Sequence, residues 1–99
     1  MVAAADTDRR LEATIHGRVQ GVGFRYFVQR EAQRRSLKGW VRNLRGGGVQ
    51  VAAEGPLEVL EEFLDTLREG PPMAWVQRVD SSWKSAKGEV GPFEVTYTV

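Results

Sequence analysis

The interval between apolar residues changes along this chain from two to three or four, and it does so twice. Between Leu11 and Val19, apolar or small residues occupy every second position, which is the period of a half-buried strand. Between Phe24 and Ala32 the interval becomes three or four, which is the period of a helix with one apolar face. The same change recurs in the second half of the chain. The pattern therefore predicts two strand–helix–strand units in succession.

The other elements follow from the same two periods and from glycine and proline at their ends. Residues 46–48 are three glycines, which accommodate a hairpin turn between two strands. Val76 and Val79 differ in parity, so both can face the core only if a β-bulge lies between them. In chain order we predict a strand over 11–19, a helix from 24 to 35 or 36, strands over 38–44 and 49–53, a helix from 56 to 70, and strands over 75–83 and 93–99.

Each strand–helix–strand unit requires a right-handed crossover, and two such units place both helices on one face of a shared sheet. The predicted fold class is α+β: a ferredoxin-like split βαβ sandwich, βαββαβ plus a fifth strand, with a mostly antiparallel sheet. We expect one domain over residues 9–99. Residues 1–8 are small and polar, and we expect them to form a flexible tail.

Composition restricts the classes of function. Without cysteine the chain has no disulfide, thiolate nucleophile or zinc–thiolate site, which suits a reducing cytoplasm. Its net charge of +1 provides no strong basic field for nucleic acid. No stretch approaches the roughly 20 apolar residues that cross a bilayer. We expect a cytoplasmic protein, a monomer by default, that binds neither nucleic acid nor membrane.

The turn between the first strand and the first helix has the pattern of an anion-binding site. Two glycines precede the helix, so that free backbone N–H groups and the positive end of the helix dipole converge. Arg25 adds a planar fork of donors. A tight connection without a ligand is the alternative, and these residues alone leave both open. The candidate phosphate-binding residues are Gln20, Gly21, Val22, Gly23, Phe24 and Arg25.

Asn43, near the end of the second strand, is the other candidate. Its amide both donates and accepts hydrogen bonds, so it can hold a water molecule in line with a bound phosphorus. Alternatively it forms the turn before the glycine hairpin. In a split βαβ fold the first loop and the second strand can approach each other, which allows Arg25 and Asn43 to act together. His16 alternates away from the apolar face and is not expected to be catalytic.

Two segments of the chain resemble the signature sequences of the acylphosphatase family. The first reads Ile15-x-Gly17-x-Val19-Gln20-Gly21-Val22-x-Phe24-Arg25. The second reads Gly39-Trp40-Val41-Arg42-Asn43, with Gly47, Val49 and Gly55 following at the family's spacing. The resemblance extends from about Leu11 to Val99. One departure is Leu44, which follows the asparagine where relatives often carry a hydroxyl residue.

The resemblance implies hydrolysis of the carboxyl–phosphate bond of an acyl phosphate to a carboxylate and inorganic phosphate. It implies that Arg25 and the amides of residues 20–25 bind the phosphoryl group, and that Asn43 orients the attacking water. It implies no metal and no organic cofactor. The partner is a small acyl phosphate, with phosphate or sulfate as a product-like ligand.

Two other functions remain to be distinguished from a free-standing acylphosphatase. The same fold can serve as a non-catalytic anion-binding module, or as a domain of a larger carbamoyl-phosphate-handling enzyme. RNA-recognition domains share the topology, but they expose stacking aromatic residues on their central strands. The corresponding stretches here, residues 11–19 and 49–54, contain no aromatic residue. We therefore expect the enzyme rather than an RNA-binding protein.

Overall fold

A computed structural model describes residues 8–99 of the chain. The predicted tail over residues 1–8 lies outside the described residues except for Asp8, which is the first residue of a strand rather than the last residue of a tail. In the described part of the chain, no helix is both long enough and apolar enough to cross a bilayer.

The predicted order of strands and helices is confirmed. The elements are β1 (Asp8–Arg18), α1 (Phe24–Arg34), β2 (Lys38–Asn43), β3 (Val49–Pro56), α2 (Leu57–Glu69), β4 (Trp75–Ser85) and β5 (Glu94–Val95). The five strands form one sheet in the order β4-β1-β3-β2-β5. Three neighbouring pairs are antiparallel, and β2 with β5 is parallel. This is the α+β, ferredoxin-like arrangement that the periods of the sequence predict.

The core lies between one face of the sheet and the two helices. The helices bury Phe24, Val28 and Ala32 of α1 and Leu60, Phe63, Leu64 and Leu67 of α2. They pack against the alternate strand residues that the period of two selects, such as Leu11, Ile15 and Val51. Burial of each large apolar side chain contributes roughly 1.5–3 kcal/mol. Packing against this face orients α1, and α1 carries the candidate anion-binding turn at its N-terminus.

The β-bulge predicted between Val76 and Val79 is present in β4. The β1 residue His16 is paired with Arg78, and the next β1 residue, Gly17, is paired with Val76, which leaves Gln77 without a partner. The extra residue corrects the parity, and both valines pack against the core.

The last strand is shorter than the predicted 93–99. Only Glu94 and Val95 form the strand, and they lie at an edge of the sheet beside β2. Beyond them the chain still follows β2, because the N–H of Thr96 donates to the carbonyl of Val41 (2.9 Å) and that of Val99 to the carbonyl of Asn43 (3.1 Å). An edge segment has a hydrogen-bonded neighbour on one side only, so its regular pairing ends early.

Candidate active site

The turn between β1 and α1 depends on two glycines in the left-handed region of backbone space. Gly21 has φ 73° and Gly23 has φ 75° and ψ 17°, a conformation that side chains with a Cβ rarely adopt. Gly23 is the N-cap of α1, and its carbonyl accepts from the N–H of Phe27 (3.0 Å). No side chain from the described part of the chain caps this helix. The first turn of α1 therefore keeps its N–H groups available.

The N–H groups of this turn and of the first turn of α1 lie at the start of the helix. Among the described residues, none accepts a hydrogen bond from the backbone N–H groups of residues 20–26. Helix N-termini carry a partial positive charge from the aligned peptide dipoles. Donors without acceptors and a positive dipole end together favour a bound anion.

Arg25 differs from the other arginines that are not fully exposed. Arg10 is bonded to three carboxylates, Arg35 to two, and Arg42 to Gln50. Arg25 is half-buried, and no residue in the described range 8–99 forms an ion pair or side-chain hydrogen bond with it. Its guanidinium is therefore available to a ligand.

Asn43 occupies the last position of β2, opposite Val49 of β3. Its side-chain Oδ1 is buried and has no hydrogen-bond partner, the only such side-chain atom in the described part of the chain. An unpaired buried acceptor costs about 1–3 kcal/mol. Such a group is retained where a ligand or an ordered water supplies the missing donor.

One pocket of about 200 Å³, which we call the anion pocket after its proposed ligand, brings these features together. It is lined by Val19, Gly21, Gly23, Phe24, Arg25, Tyr26 and Asn43. Arg25 is the only residue of this set with a formal charge, and no carboxylate is among them. The pocket is thus cationic, and it joins Arg25 and Asn43 although they lie on different elements.

Two of the predicted phosphate-binding residues have side chains that face elsewhere. The side chain of Val22 packs against the hydrophobic core. The side chain of Gln20 reaches the β2–β3 hairpin, where its Nε2 donates to the carbonyls of Leu44 (2.7 Å) and Gly48 (2.8 Å). Only the backbone N–H groups of these two residues remain available on the turn.

The bond from Gln20 ties the anion-binding turn to the hairpin that follows Asn43. Sequence reasoning missed this contact, because its partners lie 24 and 28 residues further along the chain. Leu44, which departs from the family pattern, forms hydrogen bonds within the hairpin through its backbone. Its N–H donates to the carbonyl of Gly48 (2.8 Å), and its carbonyl accepts from the N–H of Gly47 (3.2 Å). The hairpin therefore closes without a hydroxyl side chain at this position.

Tyr26 is a pocket residue that the sequence analysis did not select. Its position in the first turn of α1, next to Arg25, is the signal that places it near the same site. His16 lies outside the pocket, with its Nε2 3.0 Å from Oδ2 of Asp80 on β4. Within residues 8–99, no cluster of three or more histidine, aspartate or glutamate side chains has the geometry of a metal site.

Comparison with known proteins identifies similar sequences and structures. A sequence model of the acylphosphatase family matches residues 11–95. An acylphosphatase of Salinibacter ruber is 46% identical over 89 residues, which is 90% of this chain and 94% of that protein. One of Dehalococcoides mccartyi is 48% identical over 88 residues, 88% of this chain and 97% of that protein. The crystal structure of acylphosphatase from Bacillus subtilis superposes with a TM-score of 0.86 at 40% identity, covering 90% of this chain and 99% of that one.

Proposed function

The chain belongs to the acylphosphatase family, and we propose that it hydrolyses its acyl phosphate in the pocket shared by Arg25 and Asn43. The observation that carries this proposal is the composition of that pocket. One small cavity is lined by a turn of free N–H groups, by a half-buried arginine and by a buried amide oxygen, and neither of these two side chains has a hydrogen-bond partner among residues 8–99.

In the proposed mechanism, Arg25 and the backbone N–H groups of residues 20–25 bind the phosphoryl group. The guanidinium fork matches two phosphoryl oxygens, and the N–H groups at the helix N-terminus donate to the others. These donors are in place before the substrate arrives, because Gly21 and Gly23 permit the left-handed turn and the packing of Val22 and Phe24 against the core holds it. Preorganised donors stabilise the charge that develops on the phosphoryl oxygens in the transition state.

Asn43 is proposed to orient the attacking water. Its Oδ1 lacks a donor and can accept a hydrogen bond from that water, which fixes the direction of the oxygen lone pair toward phosphorus. The strand holds Asn43 in place through its backbone, since its carbonyl accepts from Val99 and its neighbours pair with β3. Asn43 is therefore assigned to positioning and not to proton transfer.

The reaction needs little acid or base help from the protein. Water forms a bond to phosphorus while the bond from phosphorus to the bridging oxygen breaks, and its electron pair leaves with the carboxylate. A carboxylate is a good leaving group, and the proton of water can pass to a phosphoryl oxygen. The lining residues include no histidine, aspartate or glutamate, which agrees with this division of labour. We propose that the reaction requires no metal ion.

The test of this proposal is the Arg25→Ala variant assayed with benzoyl and acetyl phosphate in the presence of EDTA. We expect the parent protein to hydrolyse both substrates with EDTA present. Losing one well-placed donor lowers the rate about 10²–10³-fold, and we expect the rate of hydrolysis by Arg25→Ala to fall at least this much. We also expect inorganic phosphate to lose its inhibition of this variant. Arg30→Ala, an exposed arginine on the same helix, is the matched control and should retain both properties. Equal activity of the two variants would contradict the assignment.

We further propose that the protein acts as a cytoplasmic monomer on a small acyl phosphate. The absence of cysteine from the sequence supports a reducing compartment. The pocket is formed within one chain, so catalysis requires no second copy. Size-exclusion chromatography with light scattering should give a mass near 11.1 kDa. Twice that mass at assay concentrations would contradict the monomer.

A further inference from the structure

A larger hollow lies beside the anion pocket, between α1 and the segment formed by residues 92–97. Its volume is about 670 Å³, and α1 contributes Tyr26, Gln29 and Gln33 to its wall. We call it the α1 groove. The mechanism proposed above makes no use of it.

The α1 groove and the anion pocket have one lining residue in common, Tyr26. The hollow beside His16 and Trp75 shares no lining residue with the anion pocket. In an acyl phosphate, one bridging oxygen joins phosphorus to the acyl carbon. The acyl group must therefore begin at the wall of the anion pocket, and Tyr26 is the part of that wall that also borders the groove.

Hydrogen bonds connect the two walls of the groove, while its two tyrosine side chains are largely exposed to solvent. Gln33 Nε2 donates to the carbonyl of Phe93 (3.1 Å), and Gln29 Nε2 lies 3.4 Å from the same carbonyl, which ties α1 to the C-terminal segment. Tyr26 is 64% exposed and Tyr97 is 88% exposed. Exposed aromatic rings at the rim of a hollow offer apolar contact area for a ligand.

The charge of the groove restricts the ligand further. Glu94 contributes the one formal charge among the lining residues, and neither lysine nor arginine is among them. A carboxylate on the acyl group would be repelled there, whereas a neutral ring or chain would not.

We propose that the α1 groove binds the acyl group of the substrate and favours neutral aromatic acyl phosphates over short or acidic ones. This inference rests on the proposed function. It assigns substrate preference to Tyr26, Tyr97 and the groove between them, separately from the residues that bind phosphate and orient water.

The test compares kcat/KM for benzoyl phosphate with kcat/KM for acetyl phosphate in variants of the groove. Gln29→Trp places a large side chain in the groove, and we expect the benzoyl-to-acetyl ratio to fall about 10-fold. Tyr97→Ala removes an aromatic contact, and we expect a fall of roughly 3-fold. The rate with acetyl phosphate should stay near that of the parent protein in both variants, and this also reports that they are folded. Arg30→Trp, the adjacent exposed position outside the groove, is the matched control and should keep the parent ratio.

A further variant of the groove tests whether the charge of Glu94 excludes acidic acyl groups. Glu94→Gln should raise kcat/KM for succinyl phosphate about 2-fold relative to acetyl phosphate at low salt, since the side chain is exposed and its charge is screened. An unchanged preference would overturn the exclusion of acidic acyl groups.

The outcomes separate this inference from the proposed function. A parent protein active on both substrates, with an unchanged ratio in Gln29→Trp and Tyr97→Ala, would overturn the acyl site and leave the proposed function intact. If the ratio is unchanged in these variants but their oligomeric mass differs from that of the parent protein, the groove would instead bind a second copy of the chain. A parent protein inactive on both substrates would overturn the proposed function and this inference together.

Discussion

At the scale of single residues, the glycines of the β1–α1 turn give the chain its left-handed backbone at positions 21 and 23. A Cβ at Gly21 or Gly23 would meet no atom within 4 Å, so space does not explain why glycine occurs there. The left-handed backbone does, since it costs other residues roughly 1–2 kcal/mol. The proposed anion-binding geometry therefore depends on backbone preference and not on side-chain packing.

Substitutions at Gly23 should follow backbone preference. We expect Gly23→Ala to lose about 1 kcal/mol of unfolding free energy. Gly23→Asn should lose less, because asparagine tolerates the left-handed region. Urea denaturation measures the unfolding free energy of both variants. The control is Gly46→Ala, at another glycine of positive φ with open space around it and outside the anion pocket. Comparing the activities of the Gly23 and Gly46 variants shows whether any loss of activity is specific to the β1–α1 turn. Equal losses for alanine and asparagine at Gly23 would contradict the backbone explanation.

At the scale of elements, the site depends on the distance between the β1–α1 turn and the end of β2. Gln20 connects the two segments, because its side chain donates hydrogen bonds to two carbonyls of the β2–β3 hairpin that follows Asn43. The C-terminal segment fixes the other side of the strand, where Val99 donates to the carbonyl of Asn43 and accepts from Arg45 (2.7 Å).

Removing the side chain of Gln20 should therefore disturb catalysis through geometry. We expect Gln20→Ala to lose about 1 kcal/mol of stability and to lower kcat by roughly 10-fold or more, since misplaced groups react slowly. Gln50→Ala breaks a side-chain bond with Arg42 outside the anion pocket and is the control. A Gln20→Ala enzyme with the stability loss and the parent kcat would remove Gln20 from the positioning of the site.

The sequence predicts the elements better than the contacts between them. The periods around Leu11 and Phe24 identify strand and helix because burial of alternate or helically spaced residues is a local property. The bulge near Val76 is predictable for the same reason. The early end of β5, the bonds of Gln20 and the position of Tyr26 depend on which distant segments meet. No local pattern contains that information, so the sequence selects the candidate site residues by type but not the contacts that support them.

At the scale of the whole molecule, a charged cluster formed by Arg10, Glu12 and Glu54 lies at the other end of β1 from the anion pocket. Arg10 and Glu54 are each 4% exposed and are bonded to one another (2.7 Å). Glu54 also accepts from the backbone N–H groups of Lys87, Gly88 and Glu89, which fixes the loop before β5. Burial alone would raise the pKa of Glu54, but these hydrogen bonds outweigh it and lower the pKa. Hydrogen bonds from Lys84 and then Arg10 lower the pKa of Glu12 from 4.5 to about 2.

Stability should therefore fall in acid. Both carboxyl groups release their protons more readily in the folded chain than in the unfolded chain. Their contribution is fully present above the ordinary pKa of 4.5 and is lost as the pH falls through the lowered values, near 2 for Glu12. Urea denaturation between pH 7 and pH 2 should show unfolding free energy declining over this window. A constant unfolding free energy would contradict the role of the cluster.

The variant Glu54→Gln separates the contribution of the buried Glu54 to the pH dependence of stability from that of Glu12. We expect a loss of about 2 kcal/mol at pH 7, because the charge-assisted hydrogen bonds are weakened. The variant should also show a weaker decline in acid than the parent protein. Glu61→Gln, an exposed position on α2, should change neither quantity. Activity per folded molecule should be unaffected by either substitution, since the cluster is separate from the anion pocket.

The most direct test of the whole account is the Asn43→Ala variant, measured for kcat with benzoyl phosphate and for inhibition by inorganic phosphate. We expect kcat to fall about 10²-fold and the inhibition constant to stay within roughly 2-fold of the parent value, because Arg25 and the backbone N–H groups still bind the anion while the water loses its orientation. A variant that turns over benzoyl phosphate at the parent rate, or that loses phosphate inhibition together with activity, would contradict it.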